Sequence, residues 1–203
     1  MIKCYIVYNG KGRGSVKRRM LKNLTLSSMF VAVGIVLPFF TGQIPQIGNM
    51  MLPMHLPVFF CGLICGWQWG ALVGFILPLM RSFMFSVPVF YPAAVAMAFE
   101  LMTYGAVSGF LYNRSKWQCI VALYRSLIAA MILGRLIWAM AEIVLLGVRG
   151  NVFTVEMFIS GAFITAIPGI IIQLVFIPAI MVALDRTGLV KFKKASKKET
   201  KTA

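Results

Sequence analysis

Apolar runs alternate with short polar connections along the whole chain. Six runs have the composition of helices: about Leu24 to Phe40, Leu52 to Cys65, Ala71 to Phe85, Ala93 to Tyr112, Cys119 to Leu146 and Phe158 to Leu184. The first is about as long as a membrane crossing requires, and the fifth is long enough to cross at a tilt. The second and third are short. They lie in the stretch from Gly48 to Pro92, which Pro53, Pro57, Pro78, Pro88 and Pro92 punctuate and in which Gly62, Gly66, Gly70 and Gly74 recur every fourth residue. Backbone opened at membrane depth survives only where protein or a wet cavity receives it. The pattern therefore predicts two short helices and two loops forming one wall of a small-molecule pocket. GWQWG, Gly66 to Gly70, reads as a tight turn with Trp67 and Trp69 at a membrane interface.

The 203 residues are 60% hydrophobic and 12% charged. Soluble domains carry about 25% charge, so the composition is that of one integral membrane domain. The net charge of +15 raises nucleic acid as a partner, but the placement of the charge excludes it. Seven basic residues lie at or before Lys22, seven at or after Arg186, and Arg114, Lys116 and Arg125 flank one short connection. That distribution is a topology signal. It predicts an all-α membrane protein of six transmembrane helices with both termini and the 113–118 loop cytoplasmic. The loops 41–51, 86–92 and 147–157, polar and nearly free of cations, then lie outside. Residues 1–23 read as a basic tail drawn to anionic membrane lipid, 24–186 as the six-helix domain and 187–203 as a second basic tail. Met20 is a second candidate start, and no A-x-A pattern marks a cleaved signal. Cys4, Cys61, Cys65 and Cys119 have no metal-type spacing and read as small core residues.

Polar residues inside oily sequence are functional-site candidates. Arg81 lies near the far end of helix 3. Glu100 lies in helix 4, on whose face Ala93, Ala96, Thr103 and Tyr104 fall together. In helix 5, Met131, Arg135, Trp138 and Glu142 form one stripe. Helix 6 aligns Ala162, Ala166, Gly169 and Gln173, so close packing leaves one amide pointing inward. At about 1.5 Å per residue, Arg81 and Glu142 sit roughly 6 Å below the outer boundary, and Glu100 and Arg135 roughly 10–16 Å. Arg135 can pair with Glu100 or Glu142 for purely structural reasons. Alternatively, the charges line an outward pocket in which Tyr91 and Trp138 stack on a ligand and Arg81 or Arg135 meets an anionic group. His55, the single histidine, opens helix 2. Asn49 and Asn151 add amides from the roofing loops. No metal set is present, the chain has no G-x-x-x-x-G-K-[ST], and nothing in it calls for a cofactor.

Helix 1 carries a small-xxx-small pair, Ser28 and Ala32, which either packs internally or receives a partner helix. With six short helices, outward loops 1, 3 and 5 and basic termini, this arrangement resembles the substrate-binding S component of an energy-coupling factor (ECF) vitamin transporter. The segments LPMHLPVFFCGLICGWQWGALVGFILPLMRS and YPAAVAMAFELMTYGAVSGFLY look like that family's broad vitamin group, and the resemblance covers about Leu24 to Arg186. It implies a non-enzymatic binding subunit in a bacterial cell membrane. Its partners would be a transmembrane coupling subunit, met by Ser28 and Ala32, and two ATPases. It also implies a vitamin or precursor held between the outer loops and helices 4–6. A carboxylate-bearing ligand such as pantothenate suits the buried arginines, while pyridoxine-like and thiamine-precursor rings stay open. Two other readings compete. A stand-alone secondary carrier would need inverted repeats or coupling-ion sites. An intramembrane hydrolase would need His55 to work with Ser82 or Ser86.

Overall fold

The computed structural model describes residues 13–40, 53–115, 120–148 and 167–186. They form six α-helices: α1 Arg13–Phe40, α2 His55–Cys65, α3 Trp67–Phe85, α4 Val95–Arg114, α5 Ile120–Val148 and α6 Ile167–Arg186. A turn of π-helix, Phe90–Ala94, leads into α4. Among the described residues five stretches are long and apolar enough to cross a membrane: Met20–Phe39, Trp67–Phe85, Phe90–Arg114, Ile120–Val148 and Gly169–Arg186. The sixth helix, α2, is shorter and apolar. This is the all-helical membrane architecture that the alternation of apolar and polar runs predicts.

The short helix lies at the centre of the bundle. His55, Pro57, Val58, Phe59, Phe60, Cys61, Gly62, Leu63 and Cys65 are all buried, around the whole circumference of α2. A helix apolar on every side is one that protein surrounds. α1, α3 and α4 pack directly on it, and α6 touches it as well. Glycine makes that crowding feasible. A Cβ at Gly62 would lie 2.5 Å from the Gly105 carbonyl oxygen, and one at Gly70 would lie 2.5 Å from Gly62 Cα. Three helix backbones thus meet with almost no side chain between them, which is how membrane helices maximise contact without a hydrophobic drive.

Three boundaries differ from those the pattern predicts. α1 begins at Arg13 rather than Leu24, so part of the basic tail is already helical. GWQWG is not a turn: α3 starts at Trp67, and the reversal is confined to Gly66, whose φ of +105° a side chain would strain. The 86–92 connection is partly helical at its end, through the π turn. Helix 6 is described only from Ile167, so Ala162 and Ala166 lie outside the described residues, as do Asn49 and Asn151. On α4, Ala96, Glu100 and Tyr104 are buried, whereas Thr103 sits on the flank and returns its hydroxyl to the Phe99 carbonyl at 2.8 Å.

One end of the bundle is basic. Lys22 and Asn23 of α1 lie beside the last turn of α2, where the Asn23 amide donates to the Cys65 carbonyl at 3.2 Å. The C-terminal turn of α4 meets the start of α3, because a Cβ at Gly109 would strike the Trp67 backbone. Ile120 and Tyr124 at the start of α5 share a groove with Arg186 at the end of α6. Lys22, Arg114, Arg125 and Arg186 therefore gather at the same end.

Candidate functional site

The buried charged residues and His55 occupy the opposite half. Glu100 is set about one and a half turns into α4 and is 2% exposed. A carboxylate there needs a partner. Arg135 of α5 supplies it: Nη1 lies 3.1 Å from Glu100 Oε1. The same oxygen accepts the Tyr104 hydroxyl at 2.7 Å, one turn along α4. Arg135 thus pairs with Glu100 rather than Glu142. The geometry depends on a glycine. The Tyr104 ring lies against Gly134, where any Cβ would overlap it, and so α4 and α5 approach closely enough for the ion pair to close.

Tyr104 also joins this pair to the central helix. Its ring centroid is 5.2 Å from Phe59 in a stacked arrangement and 5.4 Å from His55. His55 is 1% exposed, so it belongs to the interior rather than to a loop edge. His55, Tyr104, Glu100 and Arg135 form one connected polar seam through α2, α4 and α5. Tyr104 is the residue that pattern reading undervalued. The signal was present in the i, i+4 spacing of Glu100 and Tyr104, which places a hydroxyl over a carboxylate on any helix.

The seam leaves donors over. Arg135 Nε and Nη2 are buried with no hydrogen-bond partner among the described residues. So is Nε2 of Gln173, itself 1% exposed on α6, which packs against α5 and α2. Arg81 Nε on α3 is in the same condition, with no carboxylate within ion-pair distance among the described residues. Buried N–H groups without partners cost about 1–3 kcal/mol each, more when charged. All of these atoms are donors, so what satisfies them must carry acceptors.

The remaining candidates divide. Glu142 is buried on the stripe with Arg135, and Trp138 is half-buried between them. Tyr91 is engaged otherwise than as a stacking platform alone: its hydroxyl donates to the Leu145 carbonyl at 2.6 Å, tying the π turn to the last turns of α5. Nearby, the Ser82 hydroxyl donates to the Pro88 carbonyl at 2.6 Å and pins the 86–92 connection to α3. Among the described residues no group of His, Cys, Asp and Glu could hold a metal ion. Ser28 and Ala32 lie apart from all this, exposed on α1, while Ser27 faces inward with its hydroxyl 3.5 Å from Cys61 Sγ.

Residues 22–184 match the family model described as the substrate-specific component of ECF transporters. No curated protein and no solved structure matches the chain.

Proposed function

The chain belongs to the family of ECF transporter substrate-specific components, and from that membership we propose that it captures a water-soluble vitamin or vitamin precursor. It is a multi-pass membrane protein of a family of transport subunits, not of enzymes. The reading places capture at the outer face of a bacterial cell membrane and delivery through a coupling subunit driven by two ATPases. The observation that carries it is the half-used Arg135 guanidinium. Glu100, itself held by Tyr104, fixes it in place, yet its Nε and Nη2 stay buried with no hydrogen-bond partner among the described residues. A prearranged donor of this kind gains most from a ligand acceptor.

The charge balance favours an anionic ligand. Glu100 already neutralises Arg135, so a neutral acceptor suffices there. Arg81, without a carboxylate at ion-pair distance among the described residues, is the group that would meet a ligand carboxylate. A small molecule with a carboxylate at one end and amide or hydroxyl oxygens along its length fits both. Pantothenate has that form. Gln173, Trp138, Glu142, Tyr91 and His55 complete the wall, with Asn49 and Asn151 assigned to the roof. Ser28 and Ala32 lie exposed on α1, which suits docking of a partner helix.

The test begins with mass spectrometry of the small molecule that co-purifies with the protein. Vesicles holding the chain with its coupling module should then accumulate that molecule when supplied with ATP. Vesicles holding the chain alone should bind it without accumulating it. Accumulation by the chain alone, without ATP, would replace this reading with a secondary carrier.

A further inference from the structure

A groove lies at the basic end, away from the polar seam. It lies where α4 ends and α5 begins, with a volume of about 360 Å³. Its walls are two-natured. Leu111 and Ala129 line the part that runs along the membrane-spanning helices, Arg114, Ser115 and Ala122 line the part at the helix ends, and Arg125 stands between them, five residues into α5. Neither arginine has a carboxylate within ion-pair distance among the described residues. The Arg114 guanidinium lies 5.6 Å over the Phe110 ring, within reach of a cation–π contact. Trp67 and Tyr124, 46% and 37% exposed, lie at this same end of the bundle. Aromatic residues of this kind mark the headgroup level of a bilayer. The arginines are thus placed where phosphates lie, and the small apolar residues where acyl chains begin.

We propose that this groove is a binding site for one anionic phospholipid, its phosphate held between Arg114 and Arg125 and the start of an acyl chain seated against Leu111 and Ala129. Basic pockets between transmembrane helices are suited to anionic headgroups because charge attraction and acyl burial act together there. The assignment rests on α4 and α5 alone and is independent of what the substrate site binds. A lipid in this position braces the connection between the two helices that carry Glu100 and Arg135.

The full-length protein in nanodiscs of equal phosphatidylglycerol and phosphatidylcholine, released into native mass spectrometry, tests this directly. The expected result is one retained phosphatidylglycerol per chain. Arg114→Gln/Arg125→Gln should lower its retention about thirtyfold, the combined effect of two basic contacts at a membrane surface. Because removing basic residues also weakens a topology signal, a second variant leaves the charge untouched: Ala129→Phe, which fills the apolar part of the groove and should lower retention as well. Arg18→Gln/Lys22→Gln, an equal loss of charge elsewhere at the same end, should retain the lipid. Equal retention of both lipids, or equal loss in the Arg18/Lys22 control, overturns the site. So does unchanged lipid retention in Arg114→Gln/Arg125→Gln combined with loss of the coupling subunit on co-purification, which would give the groove to an acidic protein partner.

Discussion

Replacing Arg135 alone leaves the Glu100 carboxylate buried beside Tyr104 with no counter-charge, and the expected cost is about 3–5 kcal/mol of stability. Arg135→Ala should therefore lower the thermal midpoint in detergent sharply. Arg135→Ala/Glu100→Gln should recover most of that loss, because the stranded charge is gone. Pairing Arg135→Ala with Glu142→Gln instead should recover little. Recovery by Glu142→Gln and not by Glu100→Gln would contradict the ion pair described. Gly134→Ala puts a methyl group into the Tyr104 ring and should cost about 1–3 kcal/mol, with weaker ligand binding as α4 and α5 separate. Much at this scale was legible in the chain: isolated polar residues in apolar runs marked Arg81, Glu100, Arg135, Glu142 and Gln173 as interior. Which carboxylate Arg135 chooses was not, since helical periodicity assigns a face but not the rotation and height of the facing helix. The role of Tyr91 as a tie to the Leu145 carbonyl was equally hidden, because that carbonyl lies 54 residues away in sequence, and that of Ser82 because it depends on how the 86–92 connection folds back on α3.

Elements show a similar division. The number and order of helices followed from apolar runs and turn residues. The central place of α2 did not, although its uniform apolarity and its glycines agree with it in retrospect: a helix too short to cross by itself is stable when four others enclose it. The glycine contacts make a sharp prediction. Gly105→Val drives a branched side chain into the Gly70 backbone and should cost several kcal/mol, read as loss of monodisperse protein, whereas Gly147→Val, in open space, should be neutral. The α1 face behaves in the opposite way. Ser28 and Ala32 are exposed, so Leu at both positions should leave folding and ligand binding intact. Co-purification with the coupling subunit and transport should both fall. Unchanged co-purification would remove Ser28 and Ala32 from the proposed interface.

At the scale of the whole molecule, basic residues gather at one end and the buried polar seam lies in the other half, so the proposed capture site and the proposed cytoplasmic face lie at opposite ends of one bundle. Ser86 and Gln68 are exposed near opposite ends of α3, about 27 Å apart along its axis. With the native cysteines replaced, a cysteine at Ser86 should react with an impermeant thiol reagent added outside intact cells, and one at Gln68 should not. The reverse pattern would invert the proposed orientation. The central claim is that the seam built on Arg135 holds the transported molecule. The most direct measurement is ligand occupancy, by mass spectrometry, of wild type and of Arg135→Gln/Glu100→Gln purified side by side. Both should be monodisperse, since the double change strands no charge. The wild type should carry one vitamin-sized molecule per chain and the variant should be empty. A well-folded variant carrying the same molecule at the same occupancy would show that the seam is structural and that the ligand sits elsewhere.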